Sequence, residues 1–185
     1  APQLFHWSQA DWGSPYQGDY IDTNFRQLGG SKTAFHIYAI TRAIDYLLET
    51  GKIDPNRIGM AGLSYGGMYT LVTAAVEPRI KVAVSSCYIN DRAKYAWNDW
   101  SYPGQANTFF DAELFTLIAP RHIFAEAGKN DPIFSVDGVQ EVIDEVAYYT
   151  AKMGLPEDFY HIRLFDGNHQ FFCDGESLSY LFKYL

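Results

Sequence analysis

The chain has 185 residues, 48% of them hydrophobic, and a formal net charge of −8. This length and composition suit one globular domain with a sizeable core. The negative charge argues against nucleic acid or an anionic membrane surface as a partner, since both require clustered Lys and Arg. No apolar run approaches the ~18 residues of a membrane span.

The first 32 residues are aromatic and rich in Gly, Pro, Asp and Gln, without strand alternation. We predict a loop-rich segment that packs over a neighbouring surface or pocket. Residues 33–185 are predicted as the main α/β core. This core begins with a helix over 33–50, because Ile37, Ile40 and Ile44 recur on one helical face.

Residues 57–70 predict a strand, an abrupt turn and a helix. A short apolar run ends at Ser64, and apolar residues then recur at helical spacing. Gly62, Ser64 and Gly66 fit the pattern G-x-S-x-G, in which small neighbours allow a tight corner that exposes the Ser hydroxyl. The backbone N–H of Tyr65 would lie at the start of the helix, where it favours a developing oxyanion.

The rest of the chain alternates strands and helices. Strands are predicted over 80–87, 122–127 and 159–165, and helices over 112–118, 139–153 and 177–185. This alternation predicts a mainly parallel sheet in a three-layer α/β/α arrangement. Within the aromatic stretch 88–111, Trp97 and Trp100 either cover the core or wall a substrate pocket, and Phe134 is a further pocket candidate.

Ser64, Asp131 and His169 each follow a different predicted strand closely. Sites in open parallel sheets form beyond the carboxyl ends of the strands, so three loops are expected to converge at one edge. Acyl transfer requires a base to take the Ser proton and an acid to orient that base, and the order Ser, Asp, His is the order of the α/β-hydrolases. We therefore predict a catalytic triad.

Other candidates for these roles are weaker. Asp166 is interpreted as a turn residue beside His169, and Asp91, Asp99 and Asp111 follow the wrong strand. Structural roles are expected for the remaining histidines, which are His6, His36, His122 and His161. No nucleotide, metalloprotease or C-x-x-C motif is present, so no metal or cofactor is predicted. Cys87 and Cys173 are too few for a zinc site and are expected to be free core thiols, although a disulfide between them stays open.

Four segments together resemble the α/β-hydrolase superfamily: Gly-Leu-Ser-Tyr-Gly-Gly at 62–67, Ala-Pro-Arg at 119–121, Gly-Lys-Asn-Asp-Pro-Ile-Phe at 128–134 and Asp-Gly-Asn-His-Gln-Phe at 166–171. More narrowly, they are similar to its dienelactone-hydrolase-like and acetyl xylan esterase-like branch. The resemblance implies that Ser64 is the nucleophile, His169 the general base and then acid, and Asp131 its orienting partner. Because Ser64 stands where dienelactone hydrolases carry Cys, the esterase side of this branch is favoured. The resemblance alone implies the substrate, which would be an ester of a small acyl group, such as acetyl on a carbohydrate.

The resemblance also implies strands before the nucleophile strand, one of which would be followed by the second oxyanion donor. No such strands are predicted here, so we expect the C-terminal part of a longer hydrolase, completed by an upstream segment, a companion chain or self-association. Two alternatives remain. One is a serine peptidase of the prolyl oligopeptidase type, which shares the Ser-Tyr-Gly-Gly turn, and the other is a non-catalytic binding module.

Overall fold

The computed structural model describes residues 18–94, 102–171 and 175–185, and side chains from residue 22 onward. Its strands are β1 (Ile58–Leu63), β2 (Ile80–Ser86), β3 (His122–Gly128) and β4 (Tyr160–Phe165). Its α-helices are α1 (Gly18–Gln27), α2 (Lys32–Glu49), α3 (Tyr65–Val76), α4 (Asp111–Ile118), α5 (Val136–Met153) and α6 (Glu176–Tyr184). Short 3₁₀ turns occupy Gln105–Asn107 and Glu157–Phe159.

The four strands form one parallel sheet in the order β1-β2-β3-β4. Parallel neighbours require a crossover connection, and here helices supply it between successive strands. All four carboxyl ends therefore lie at one edge of the sheet, where the turns after the strands can meet. The predicted α/β class and the three-layer arrangement are confirmed.

Alternating residues of β3 show how the two faces of the sheet are covered. Ile123 and Ala125 belong to the main core, which the sheet forms with α3, α4 and α5. Between them, Phe124 faces the other way, and its ring lies 5.4 Å from the ring of Tyr180 on α6. Both faces of the sheet are thus buried, as expected for parallel strands.

Helix α1 is the main departure from the predicted elements, since Gly18–Gln27 is helical inside the segment predicted as loop-rich. An i,i+4 ion pair of 2.5 Å between Arg26 and Asp22 supports this helix. The ring of Phe25 also packs 5.4 Å from the ring of Phe35 on α2. Among the described residues, none of the helices combines the length and apolar character that crossing a membrane requires.

Candidate active site

Ser64 occupies the corner between β1 and α3 in a strained backbone conformation, with φ 58° and ψ −117°. A positive φ is uncommon for a residue with a side chain, and such strain is found at functional sites when the surroundings enforce it. The Ser64 N–H donates to the Ser86 carbonyl at 2.9 Å, and its own carbonyl accepts from the Met68 N–H at 2.9 Å. Tyr65 is the first residue of α3, so its N–H lies at the helix N-terminus.

Gly62 and Gly66 differ in how much space the corner leaves for a side chain. A Cβ on Gly62 would lie 2.2 Å from the carbonyl oxygen of Gly66, so a side chain at position 62 cannot fit without moving the backbone. A Cβ on Gly66 would meet nothing within 4 Å. The contacts of the corner therefore require Gly at position 62, whereas the need for a small residue at position 66 stays a prediction.

Asp131 and His169 lie side by side after β3 and β4. The Nδ1 atom of His169 is 2.8 Å from Oδ2 of Asp131, whose side chain is fully buried, while that of His169 is 19% exposed. The other carboxylate oxygen of Asp131 accepts from the N–H groups of Ile133 at 2.8 Å and Phe134 at 3.1 Å. These bonds fix the carboxylate, so it can orient the imidazole with Nδ1–H toward itself and leave Nε2 to accept a proton.

The loops that carry this pair are joined by their backbones. The Lys129 N–H donates to the Phe165 carbonyl, and the Asn130 N–H donates to the Gly167 carbonyl, both at 2.9 Å. Gly128 makes this possible, because a Cβ there would lie 2.2 Å from the carbonyl oxygen of Asn168. The separation of Asp131 and His169 thus depends on a close approach of two main chains.

Ser86 brings the nucleophile turn next to the loop of His169. Its carbonyl accepts from Ser64, and its hydroxyl oxygen lies 3.5 Å from the Gln170 carbonyl oxygen. That hydroxyl donates to Glu126 at 2.9 Å, and Arg163 donates to the other oxygen of Glu126 at 3.0 Å. Glu126 is fully buried. Glu126 was not predicted as part of the site, although a lone carboxylate inside the apolar strand β3 is a visible signal.

Cys87 lies beneath the same loop, just after β2. Its φ of 47° is positive, its side chain is buried, and the thiol is free. The Sγ atom is 3.3 Å from the carbonyl oxygen of Gln170, and burial raises the pKa of the thiol. The expectation of a free core thiol is confirmed for Cys87, whereas Cys173 lies outside the described residues.

The three pocket candidates have different outcomes. Trp97 and Trp100 lie outside the described residues. Phe134 is 1% exposed, and its ring centroid lies 5.7 Å from that of His169. In this structure Phe134 therefore supports the imidazole from within the core rather than forming an open wall, and its contact with a substrate stays a prediction.

Competing carboxylates are committed to other contacts. Asp111 is buried in an ion pair with Arg92, at 2.8 Å, and Asp166 accepts from the side-chain amide of Asn130 at 3.2 Å. Of the other histidines, His36 lies 2.6 Å from the Tyr69 hydroxyl and is buried, with a pKa lowered to about 4 by that burial and by Lys32. These contacts fit the structural roles that the sequence predicts.

A parallel sheet with a strained Ser corner and an Asp–His pair at its carboxyl edge defines an α/β-hydrolase. The family model "Prolyl oligopeptidase family" matches residues 21–140, more than half of the chain. The chain therefore belongs to the prolyl oligopeptidase family, which the sequence analysis gave as an alternative, and the predicted superfamily is confirmed.

Sequence relatives are longer proteins. The candidate hydrolase YtaP of Bacillus subtilis (strain 168) is 29% identical over 142 residues, which cover 72% of this chain and 48% of YtaP. The 2,6-dihydropseudooxynicotine hydrolase of Paenarthrobacter nicotinovorans is 23% identical over 152 residues, which cover 72% of this chain and 40% of that protein. The chain thus spans less than half the length of these relatives.

Solved structures confirm the fold. A glucuronoyl esterase from Sporotrichum thermophile aligns with a TM-score of 0.65 at 18% identity, over 83% of this chain and 52% of that one. A cold-adapted esterase from an Arctic intertidal metagenomic library aligns with a TM-score of 0.60 at 19% identity, over 90% of this chain and 62% of that one. At such identities the likeness concerns the fold alone.

Proposed function

We propose that this protein is a serine-dependent hydrolase of carboxylic esters, with Ser64 as nucleophile, His169 as base and Asp131 as the residue that orients it. The observation that carries the proposal is the strained corner at Ser64 beside the 2.8 Å contact of His169 and Asp131 at the same edge of the sheet. Strain at Ser64 is expected where a hydroxyl must be held clear of its own strand.

The proposed reaction has two steps. As Oγ of Ser64 attacks the acyl carbon, Nε2 of His169 takes the hydroxyl proton, and the Tyr65 N–H stabilises the oxyanion. Collapse of this intermediate breaks the ester bond, and His169 gives its proton to the leaving alcohol. Water then attacks the acyl-enzyme by the same route, which releases the acid and restores Ser64.

For the substrate we propose small acyl esters of acetyl type, with an alcohol such as a carbohydrate hydroxyl as leaving group. The resemblance to acetyl xylan esterase-like proteins supports this choice. Several structural neighbours are glucuronoyl esterases, and this favours carbohydrate-linked esters as a class to test.

A serine peptidase of the prolyl oligopeptidase type is the second candidate, because that family model matches residues 21–140. Both reactions use the same three side chains, so the site itself does not separate them. A panel of short acyl esters and aminoacyl-proline amides does so. We expect turnover of the esters, and a preference for the amides would favour the peptidase.

We further propose that polypeptide beyond the described residues pairs with the outer edge of β1 and supplies a second oxyanion donor. Within the described part of the chain, β1 pairs with β2 alone, and Leu63 is 37% exposed. Unpaired strand edges are usually covered. Loss of one oxyanion donor costs roughly 10²–10³ in kcat, so this chain alone should be a slow esterase. Turnover unaffected by adding upstream polypeptide would contradict this proposal.

Fluorophosphonate labelling tests the nucleophile directly. We expect one label per chain, on Ser64, and none in Ser64→Ala. Labelling of another residue would assign the nucleophile to that residue. A folded protein that takes no label and hydrolyses no ester would support the alternative of a non-catalytic binding module.

A further inference from the structure

Three side chains of different chemistry meet beneath the loop that carries His169. The sulfur of Cys87, a carboxylate oxygen of Asp131 and a ring nitrogen of His169 all lie within 4.8 Å of one another. They come from the ends of three neighbouring strands. The carbonyl oxygens of Gln170 and Asn168, at 3.3 Å and 3.9 Å from the sulfur, lie beside them.

Thiolate, imidazole and carboxylate form the ligand set that soft or borderline divalent cations prefer. Zinc binds sulfur at about 2.3 Å and nitrogen or oxygen at about 2.0–2.2 Å, so the ligands of one ion lie about 3.5 Å apart. All the separations are within 4.8 Å, and Nδ1 of His169 is already 2.8 Å from Oδ2 of Asp131, so only the distances to the sulfur have to shorten, by up to about 1.3 Å. The backbone of Cys87 is held just after β2 by a hydrogen bond from its N–H to the Glu126 carbonyl at 2.7 Å, so we expect the loop of His169 to make most of this movement.

We propose that a soft divalent cation, zinc or cadmium, binds to Cys87, Asp131 and His169 and switches off the hydrolase. The inhibition rests on the proposed function, whereas the binding site does not. On binding, the S–H bond of Cys87 breaks, a sulfur–metal bond forms and the thiol proton passes to the buffer.

The inhibition follows from the tautomer of His169. The carboxylate of Asp131 accepts a hydrogen bond from Nδ1–H of His169, so Nε2 of His169 is the atom that takes the proton of Ser64. A metal on Nδ1 moves the ring proton to Nε2, where it blocks that transfer. Asp131, as a ligand of the metal, also stops orienting the ring. A wrong tautomer alone costs about 10⁴ in kcat in enzymes of this mechanism.

Because the site is buried, we expect inhibition to develop slowly after the cation is added. Cys87 and the side chain of Asp131 are buried, whereas 19% of the His169 side chain is exposed. The ion must therefore enter as the loop of His169 opens. Hard cations such as magnesium prefer all-oxygen sites and should have no effect at equal concentration.

The test uses cadmium as the probe, on wild type, Cys87→Ser and Cys173→Ser. Cys173 is the only other cysteine of the chain, so its variant is the matched control. Binding is measured by the ultraviolet charge-transfer band of a cadmium–thiolate bond, and inhibition by ester turnover and by the rate at which fluorophosphonate labels Ser64. Cys87→Ala repeats the comparison if Cys87→Ser fails to fold.

We expect wild type and Cys173→Ser to bind one cadmium and to lose labelling and turnover at least 10²-fold, with recovery on chelation. Cys87→Ser should lack the band and keep its activity in cadmium. Inhibition of Cys87→Ser equal to that of wild type, or a band that is lost with Cys173 instead, would overturn the proposal. Because the band needs no substrate, it decides the metal site even if no ester is hydrolysed.

Discussion

Adding one methyl group at Gly128 is the sharpest test of how the Asp–His pair is held. In Gly128→Ala the new Cβ would lie 2.2 Å from the carbonyl oxygen of Asn168 and 2.5 Å from that of Gly167. Ordinary contact requires about 3.4 Å, so the two loops must separate by about 1 Å. Both neighbours are backbone atoms, and a change of side-chain rotamer cannot relieve the clash.

The expected loss follows from that displacement. The Asn168 carbonyl directly precedes His169, so the imidazole moves away from Asp131 with the loop. A misplacement of about 1 Å costs about 10² in rate, and overpacking costs about 1–3 kcal/mol in the free energy of unfolding. The matched control is Gly30→Ala, where the same methyl group would meet only ordinary contacts, 3.6 Å from the Phe25 carbonyl oxygen.

The assay is the rate of fluorophosphonate labelling and of acyl ester turnover, with the free energy of unfolding measured in urea. We expect Gly128→Ala to label and turn over about 10²-fold more slowly than Gly30→Ala while it stays folded. Rates equal to those of wild type in folded Gly128→Ala would refute the argument that this close approach positions the base.

Two further predictions concern single side chains. In the complete protein, Ser64→Ala and His169→Ala should each lower ester kcat by about 10⁴–10⁶, and Asp131→Asn somewhat less, because the three residues act as a unit. Near-normal turnover in any of these variants would show that other residues carry the reaction. The second prediction concerns His36, whose pKa burial lowers from 6.5 to about 4. Between pH 6.5 and pH 4, His36 is protonated in the unfolded chain but stays neutral in the folded protein. The free energy of unfolding should therefore fall by about 3 kcal/mol over this pH range. His36→Gln should flatten this slope in urea titrations, and an unchanged slope would assign the acid sensitivity to other groups.

The strands were predictable because each is a short apolar run bounded by turn residues. Helix α1 was not predicted, because its 10 residues are mostly polar and carry too few apolar side chains to indicate a buried face. Its observed supports are the pair of Arg26 with Asp22 and the packing of Phe25 on Phe35. The second of these joins two helices, so a local pattern cannot report it.

The candidate site residues also fall into two groups, those that a local sequence pattern predicts and those that depend on contacts between strands. Ser64, Asp131 and His169 were predictable because each follows a strand within a recognisable turn, and parallel strands bring their carboxyl ends together. Cys87 and Glu126 were not predicted as neighbours of the site. Their positions depend on how neighbouring strands pair across the sheet, and this register cannot be predicted from the sequence of a single strand.

That register places Glu126 opposite Ser86 on one side and Arg163 on the other. Its carboxylate accepts from both side chains, at 2.9 Å and 3.0 Å, and Arg163 also pairs with Glu176 at the start of α6. Burying such a charge is costly, and apolar residues of similar volume often stabilise a fold equally well. Stability alone is therefore a weak reason for the network, whereas its contact with Ser86 joins it to both the Ser64 turn and the His169 loop.

Two variants separate these roles. Glu126→Gln should lower the free energy of unfolding by about 3–5 kcal/mol, because the largely buried guanidinium of Arg163 loses its buried counter-charge and keeps only the exposed carboxylate of Glu176. The exposed pair of Glu141 with Lys94 is the control, and Glu141→Gln should have little effect on the free energy of unfolding, because water and salt screen exposed charges. Combining Glu126→Leu with Arg163→Met removes both charges and should recover most of the stability. If the network orients the site, this double variant labels Ser64 more slowly than wild type despite its recovered fold, because the Ser86 hydroxyl has lost its acceptor. A stable double variant that labels at the wild-type rate would show that Glu126 serves the fold alone.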